Sequence, residues 1–494
     1  MTALNHDTRS SKADPYLAGS FVAGDWLTDG ASAQRIGPFT HEVVSVARVA
    51  APADIDRALK YAERSAGEVE EWSPAARAAV LEKAATMVED HKERFARLLA
   101  LELGKPLKDG RGEMVRVADT LLVAAAEARR LGGEVLPTAG WSRGVGTTAL
   151  TYRAPVGVVL VITPFNSPAN LLAHKLASSF AAGNTTIVKP PPQAPAVSSA
   201  LVKLLLDAGM PVQAVQLLHG GADVGEALTR SPVVSAISLT GSVAAGAAVA
   251  RAAGPKRLML ELGGNAATIV CEDADVAAAA AICAQTGFSN SGQSCISVQR
   301  IYVQSSRHDE FVTALTQRVA ALSVGDPLDE TTDVGSMVDE TAAQRVVEWA
   351  NQAKELGASV VCGGERRGAT VFPTIIVGPP ASARVVQDEV FGALVAVMAF
   401  DDFDEVLERC NTSRTGLQAG LFTQDISRIM KAWRRLTVGG LVINGSSNFR
   451  LDHVPFGGVK ESGIGRESPR WMMDDYTVTK TLLMRSESIW GTRP

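Results

Sequence analysis

Apolar residues follow two spacings along most of the chain. Stretches rich in Ala, Glu and Arg, such as 73–103 and 111–131, repeat apolar residues at helical intervals. Between them lie short runs of β-branched residues that are bounded by Gly or Pro. This alternation is typical of βαβ units, so it predicts an α/β fold with a largely parallel sheet.

The clearest βαβ unit lies in the first half of the chain. A buried strand that ends in a turn occupies 156–168, an amphipathic helix covers 170–183, and the next strand covers 184–190. The helix ends at a glycine, which is a common helix terminator. Lys189 is therefore predicted at the carboxyl end of the second strand.

A second run of elements continues this sheet. The predicted elements are a helix over 195–209, a strand over 215–220, a helix over 222–231 and a strand over 236–241. Ligands of open α/β sheets bind where the carboxyl ends of strands meet helix N-termini. Lys189, Thr240, Gly241 and Ser242 should therefore share one rim of the sheet.

The second half of the chain predicts a separate α/β domain and a pair of exposed strands. Helical patterns such as 309–322 and 342–357 follow a new start near residue 265. The segments 147–155 and 474–490 alternate in the manner of exposed strands. Exposed strands usually find a partner, so we expect these two segments to take part in a subunit contact.

Composition and charge exclude several classes of protein. The chain has 494 residues, 46% of them hydrophobic, and a net charge of -5 without a concentrated basic stripe, so nucleic acid is not an expected partner. The longest apolar run, 155–163, is too short to cross a membrane, and the polar N-terminus lacks the apolar core of a secretory signal. We expect a cytoplasmic protein without a membrane partner.

Five cysteines, at positions 271, 283, 295, 362 and 410, predict neither disulfides nor a metal site. Their number is odd, and none has a second cysteine at the short spacing of zinc ligands. Reduced thiols are the default expectation for a protein with this pattern.

Three short stretches carry residue types that fit one reaction. They are "TPFNSP" with Asn166, "LMLELGGN" with Glu261 and "SGQSCISVQR" with Cys295. Each is weak alone, because a cysteine is more often a core residue, an Asn near Pro a turn residue and a Glu a solvated strand end. Together they supply a thiolate that attacks a carbonyl carbon, an amide that stabilises the oxyanion and a carboxylate that activates water.

These stretches stand among eight ordered motifs that resemble the NAD(P)-dependent aldehyde dehydrogenase superfamily. The motifs are "GKP" at 104–106, "PFNSP", "KPPPQ", "LTGS", "ELGGN", "GQSC", "DEVFG" and "PFGGVKESGIGRE" at 455–467. The resemblance covers nearly the whole chain and lies nearest the subgroup of lactaldehyde, phosphonoacetaldehyde and non-phosphorylating glyceraldehyde-3-phosphate dehydrogenases. It implies oxidation of a small aldehyde to the free carboxylic acid with reduction of NAD or NADP.

The resemblance also implies the organisation of the chain. A Rossmann-type cofactor domain would comprise residues 1–133 and 154–264, and an α/β catalytic domain would comprise residues 265–473. A small β bridging segment, residues 134–153 and 474–494, would support a homodimer or homotetramer.

Site residues carry over from the family position by position. Cys295 would be the nucleophile, Asn166 and the Cys295 backbone N–H would hold the oxyanion, and Glu261 would activate water for hydrolysis of the thioester. The implied cofactor-binding residues are Thr163, Pro164, Phe165, Lys189, Pro192, Gly225, Thr240, Gly241, Ser242, Leu262, Gly263, Glu389 and Phe391.

Two positions depart from familiar patterns. Many NAD-preferring relatives carry a Glu where this chain has Pro192, so repulsion of the NADP 2′-phosphate is not enforced there, and NAD and NADP both remain open. Relatives that bind phosphate or phosphonate usually carry Arg where this chain has Ser294, which argues against a phosphorylated substrate.

The substrate pocket has four candidate residues. Arg116 and Arg450 are candidate holders of an anionic tail, with a solvated helix face and a loop ion pair as the alternatives. Ser294 and Ile296 flank the nucleophile. The sequence does not decide between an anionic and a neutral tail.

Two other functions stay open from the sequence. One is a thiol esterase that needs no cofactor, and the other is a noncatalytic binding protein on the same fold. The first leaves the motifs around Lys189, Ser242 and Glu389 unexplained. The second gives no chemical reason for the chain to keep a nucleophile, an oxyanion donor and a base together.

Overall fold

Two large, mostly parallel sheets organise the computed structural model, which describes residues 14–485. The strands of the first sheet lie in the spatial order Gly463–Ile464, Arg257–Glu261, Ala236–Thr240, Val158–Ile162, Thr185–Lys189, Val215–Leu217, Ser20–Val22 and Asp25–Leu27. The five strands between residues 158 and 261 are parallel, and the outer strands are antiparallel to their neighbours.

The direction of strand succession reverses next to Val158–Ile162. The following two strands along the chain are added on one side of it, whereas Ala236–Thr240 pairs with it on the other side. Such a reversal leaves a crevice at the carboxyl ends of the strands, where α/β proteins bind ligands. Thr163 and Thr240 lie at this crevice.

Both faces of the first sheet are covered by helices. Val159 and Val161 pack into one core and Val158 and Leu160 into the other, which explains why this strand is apolar throughout. The helices that contribute to the first core include Pro74–Asp90, Lys92–Leu103, Leu107–Arg130, Pro168–Ala181, Pro195–Asp207 and Pro469–Asp475. The helices that contribute to the second core are Pro52–Glu70, Ala222–Arg230 and Val243–Ala253.

One helix of the first core, Pro168–Ala181, is buried at every position. It nevertheless contains Asn170, His174 and Lys175, whose polar groups must find partners inside the protein. This helix therefore brings a chain of buried polar contacts to the base of the crevice.

The second sheet has its own hydrophobic core. Its strands lie in the order Ser359–Cys362, Thr374–Val377, Leu394–Phe400, Arg300–Gln304, Ala267–Val270, Gln418–Phe422 and Gly440–Ile443, and only the first is antiparallel to its neighbour. Its associated helices are Val276–Phe288, His308–Ala320, Glu340–Glu355, Arg384–Gln387, Phe403–Asn411 and Ile426–Arg435.

Smaller sheets complete the described part of the chain. Thr477–Arg485 pairs with Thr147–Pro155 over nine residues, and Val135–Leu136 extends this sheet on the far side of Thr147–Pro155. The predicted exposed strand at 474–490 is thus present up to residue 485, and the rest of it lies outside the described residues. Another sheet contains Tyr16–Ala18, Val43–Arg48 and Ser32–Ile36.

Most of the elements expected from the sequence end within a few residues of their predicted positions. The stretch 73–103 contains two helices rather than one, because His91 ends the first in a non-helical conformation. The predicted domain limits at residues 1–13 and 486–494 lie outside the described residues. Residues 463 and 464, which the sequence assigned to the second domain, add an edge strand to the first sheet. No helix within 14–485 has the length and apolar character needed to cross a membrane.

The edge strand at Gly463 generates a test of how the two halves fit together. Gly463 has a φ of +141°, and a Cβ built on it would lie 1.8 Å from the carbonyl oxygen of Leu260. We expect Gly463→Ala to cost about 1–3 kcal/mol, as a strained backbone position does. The measurement is the urea unfolding midpoint. Gly112→Ala, in open space on a helix, is the matched control and should leave the midpoint unchanged or raise it; equal midpoints for the two variants would contradict the prediction.

Candidate active site

A cavity of about 800 Å³ lies at the junction of the two large sheets. Thr163, Lys189 and Thr240, at the carboxyl ends of strands in the first sheet, line it from one side. Cys295 and Glu389, which precede strands of the second sheet, line it from the other side. The carboxyl ends of one sheet and the amino ends of the other therefore enclose a single space.

The cavity brings together nearly all the site residues predicted from the sequence. Its lining includes Arg116, Thr163, Pro164, Phe165, Asn166, Lys189, Pro192, Thr240, Gly241, Ser242, Glu261, Leu262, Gly263, Ser294, Cys295, Ile296, Glu389, Phe391 and Arg450. Gly225 does not line it. This glycine lies within the helix Ala222–Arg230, where a Cβ would enter open space.

Cys295 lies in an apolar wall of the cavity. Ile296, Leu417 and Phe456 form a small cluster against it, and a Cβ on Gly264 would lie 2.3 Å from its carbonyl oxygen. Burial, followed by the negative charges of Glu389 and Glu261, raises the pKa of the Cys295 thiol to about 12. The resting side chain is therefore a neutral thiol.

Asn166 follows the strand Val158–Ile162 in the turn before the buried helix. Its Nδ2 donates to the carbonyl oxygen of Gln293, two residues before the nucleophile, at 3.0 Å. Its own carbonyl oxygen accepts from Lys105 Nζ at 2.6 Å and from Asn290 Nδ2 at 3.0 Å. The amide is thus tied to the segment that carries Cys295.

Glu261 ends the strand Arg257–Glu261 and is buried. Its Oε2 has no hydrogen-bond partner. Burial, followed by the negative charge of Glu467, raises the pKa of the Glu261 carboxyl well above its ordinary value. An unpaired carboxyl group with a raised pKa can take a proton from water, and such groups are common at catalytic sites.

The other end of the cavity has the features of a nucleotide site. Thr163 is buried and Thr240 half-buried, and the buried hydroxyl oxygen of each has no hydrogen-bond partner. Ser242 caps the helix Val243–Ala253, whose N-terminus favours negative charge. Burial lowers the pKa of Lys189 to about 8.

Two further residues complete this end. Glu389 accepts a hydrogen bond from the backbone N–H of Gly264 at 3.0 Å, and burial raises the pKa of its carboxyl to about 7. The rings of Phe165 and Phe391 meet edge to face with centroids 5.8 Å apart. Orphaned hydroxyls, a helix N-terminus and buried charges are what a dinucleotide would require, so these residues fit NAD or NADP.

The two candidate anion holders are already paired with carboxylates. Arg116 donates through Nε and Nη2 to both oxygens of Asp452, at 3.0 and 2.7 Å. Arg450 donates to Glu467 at 2.9 Å, and its Nη2 lies 3.2 Å from His174 Nε2. The guanidinium groups line the cavity but are partly neutralised by these partners.

Charge states in this cluster follow from its contacts. Burial alone would raise the pKa values of Asp452 and Glu467, but their cationic partners hold both well below the usual range. Burial lowers the pKa of His174, so this imidazole is neutral at pH 7. Lys175 donates to Glu467 at 2.9 Å and adds a third cation to those of Arg116 and Arg450.

Several contributors to the site were missed in the sequence. Lys105 and Glu113 form a buried ion pair, and Glu113 also accepts from the backbone N–H groups at the start of the helix Pro168–Ala181. Lys105 lies in "GKP" and Glu467 ends "PFGGVKESGIGRE", two motifs that carry the family resemblance but assign no role to either residue. Asp452 lies two residues after Arg450, and this short spacing was the signal in the sequence that could have identified Asp452 as a partner of the site. Within residues 14–485, no group of three or more His, Cys, Asp or Glu side chains is arranged to hold a metal ion.

Comparison with known proteins identifies the family. The model of the aldehyde dehydrogenase family matches residues 26–482. The chain belongs to this family. It is 41% identical over 467 residues to a 3-sulfolactaldehyde dehydrogenase of Priestia aryabhattai, a match that covers 94% of this chain and 98% of the relative.

Solved structures of this aldehyde dehydrogenase family share the fold. Aldehyde dehydrogenase 21 from Physcomitrella patens, in complex with the reaction product succinate, matches with a TM-score of 0.93 and 34% identity, over 97% of this chain and 100% of that chain. The glyceraldehyde-3-phosphate dehydrogenase GapN from Methanocaldococcus jannaschii, complexed with NADP, matches with a TM-score of 0.88 and 33% identity, over 92% of this chain and 99% of that chain.

These matches confirm the predicted family, fold class and enzyme class. The protein is an aldehyde dehydrogenase that oxidises a small aldehyde with NAD or NADP as the cofactor. A thiol esterase without a cofactor and a noncatalytic binding protein are therefore not needed to explain the motifs.

The raised pKa of the Cys295 thiol generates a test of its reactivity. Only the thiolate is alkylated, so alkylation of the cofactor-free enzyme by iodoacetamide should rise about tenfold per pH unit from pH 7 to pH 9. Mass spectrometry of the Cys295 peptide measures the rate, with the half-buried Cys362 as internal reference. Glu389→Gln should accelerate the reaction because it removes a negative charge. A plateau below pH 8 would contradict the prediction.

Proposed function

We propose that Cys295, Asn166 and Glu261 together convert the aldehyde into the free carboxylic acid. The observation that carries this proposal is their convergence on one cavity, with Asn166 bonded to the segment of the nucleophile. The thiolate of Cys295 adds to the aldehyde carbon and forms a thiohemiacetal oxyanion. Loss of a hydride from that carbon leaves a thioester on Cys295, which water then cleaves.

The oxyanion needs donors that are already in place. Asn166 Nδ2 has two hydrogens, of which one bonds to Gln293. The backbone N–H of Cys295 has no hydrogen-bond partner among residues 14–485. The second Asn166 hydrogen and the Cys295 N–H would therefore bind the oxyanion, and donors of this kind commonly contribute about 10²–10³ in kcat.

Residues at the other end of the cavity would hold NAD or NADP. Lys189 and Glu389 would bind the two ribose groups, the N-terminus of Val243–Ala253 would bind the pyrophosphate, and Phe391 would pack near the nicotinamide. A nicotinamide ring supplies a two-electron acceptor for the hydride. Pro192 offers no carboxylate against a 2′-phosphate, so the choice between NAD and NADP stays open.

Glu261 would complete the cycle by activating water. We expect Glu261→Gln to keep the first burst of NAD(P)H but to lose steady-state turnover, because the thioester forms and is not hydrolysed. Stopped-flow absorbance at 340 nm measures both phases. Because the carboxyl group of Glu261 has a raised pKa, steady turnover of the unaltered enzyme should increase with pH.

Two controls accompany this test. Cys295→Ala should lose both phases, and Cys410→Ala, which alters a buried cysteine outside the cavity lining, should keep both. Equal losses of the burst and the steady rate in Glu261→Gln would mean that hydrolysis is not specifically impaired, which would contradict the proposed role of Glu261.

We further propose a substrate with a singly charged tail. Five side chains form a charged cluster at the substrate end of the cavity. Arg116, Arg450 and Lys175 carry three positive charges, and Asp452 and Glu467 carry two negative charges. The net charge of the cluster is therefore +1. Arg116 Nη1 has no protein partner in the described chain and can donate to a ligand. A sulfonate or carboxylate would balance this charge, whereas a phosphate dianion would exceed it. The 3-sulfolactaldehyde dehydrogenase relative and the succinate-bound structure support this choice.

Three aldehydes with a common carbon skeleton test the charge count. We expect kcat/KM for 3-sulfolactaldehyde to exceed that for lactaldehyde by about 10–100-fold, as one charge-assisted hydrogen bond would give, and glyceraldehyde-3-phosphate to be poorer than 3-sulfolactaldehyde. Asp452→Asn raises the cluster charge by one and should improve the phosphate ester relative to the sulfonate. Lactaldehyde as the best substrate would contradict the proposal.

The predicted homo-oligomer and cytoplasmic location stay predictions.

A further inference from the structure

The segment before Cys295 has an unusual backbone. Asn290, Ser291 and Gly292 have φ values of 49°, 54° and 72°, three consecutive residues in the left-handed region. Only glycine enters this region freely, and asparagine tolerates it better than most residues. The chain therefore makes a tight left-handed turn four residues before the nucleophile.

The side chain of Asn290 bridges the two halves of the proposed oxyanion site. Its Nδ2 lies 3.0 Å from the carbonyl oxygen of Asn166 and 3.2 Å from that of Gln293. The Nδ2 of Asn166 lies 3.0 Å from the same Gln293 oxygen. Two side-chain amides thus share one acceptor, and one of them also bonds to the backbone of the other.

Asn290 is itself held from two directions. Its backbone N–H donates to Asp109 Oδ2 at 2.7 Å, which ties the turn to the helix Leu107–Arg130. Its carbonyl oxygen accepts from the backbone and the side chain of Gln293, at 3.1 and 3.2 Å. The position of its amide is therefore determined before any substrate arrives.

Lys105 is the other donor to the carbonyl oxygen of Asn166. Its ammonium is buried against Glu113, so it ties the Asn166 backbone to the helix Leu107–Arg130, which carries Glu113. Within residues 14–485, Lys105 Nζ makes no hydrogen bond to the nucleophile segment. Asn290 alone among these donors joins Asn166 to the segment that contains Cys295.

We propose that Asn290 is a positioning residue that sets the separation between the Asn166 amide and the Cys295 backbone N–H. This inference rests on the roles proposed above for Asn166 and Cys295. The oxyanion forms midway between two donors on different chain segments, so a shift of one segment lengthens one of its hydrogen bonds. Small displacements of this kind reduce rates substantially because the donors no longer point at the developing charge.

Two substitutions separate the amide from the turn. Asn290→Gly retains access to the left-handed backbone but removes the bridge, and Asn290→Asp retains the shape but replaces the donor with an acceptor. We expect both variants to slow the NAD(P)H burst by about 10–100-fold with little change in KM. Asn444→Gly is the matched control, because Asn444 also has a left-handed φ of 51° but does not line the cavity.

A double-substitution cycle distinguishes positioning from a general structural role. In an Asn166→Ala background the bridge has no amide left to position, so Asn290→Gly should cost less than about threefold more. The thermal midpoint and the rate of Cys295 alkylation should match those of Asn444→Gly. An equal cost of Asn290→Gly in both backgrounds, or an unchanged burst in Asn290→Gly, would overturn the inference.

The same cycle separates this inference from the proposed function. An unchanged burst in Asn166→Ala would overturn the oxyanion role of Asn166 itself. A slow burst in Asn166→Ala together with a normal burst in Asn290→Gly would leave that role intact and overturn only the role of Asn290.

Discussion

Removal of charged groups from water is the constraint on which this active site depends. Burial is the largest single influence on the pKa values of Cys295, Glu261, Glu389 and Lys189. In each case it favours the neutral form, so the resting site holds its nucleophile as a thiol and raises the pKa of its candidate base, Glu261. The thiolate that attacks the aldehyde forms only after the Cys295 thiol has lost its proton. This arrangement limits unwanted reactions of a free thiolate while the site is empty of substrate.

The same constraint explains the polar contacts behind the cavity. The helix Pro168–Ala181 is buried on all sides because it lies beneath the crevice of the first sheet. Its His174 and Lys175 must therefore be satisfied by Asp452 and Glu467, which come from the far end of the chain. Breaking one partner of such a buried network leaves an unpaired charge at a cost of about 3–5 kcal/mol. The network thus makes residues at the substrate end of the cavity contribute to the stability of the contact between the helix Pro168–Ala181 and the segment that carries Asp452 and Glu467.

Local pattern accounted for much of the fold. Apolar periodicity placed the strand around 158–162 and the helix that follows it, because both are determined by neighbouring residues that alternate or repeat along the segment. It did not address Gly225, which the family resemblance assigned to the cofactor: this glycine lies in the helix Ala222–Arg230 outside the cavity lining, and its role stays a prediction.

By itself, the sequence determined the residue types of the reaction, their order and the family, because motifs around Asn166, Glu261 and Cys295 are contiguous and chemically specific. The tertiary structure alone decided which charges remain available. Arg116 and Asp452 are 336 residues apart, and Asn290 and Asn166 are 124 residues apart. The local sequence around these residues therefore does not predict either contact. Ion pairs and bridging hydrogen bonds depend on distances of a few ångströms between elements, and those distances exist only once both sheets have packed against each other.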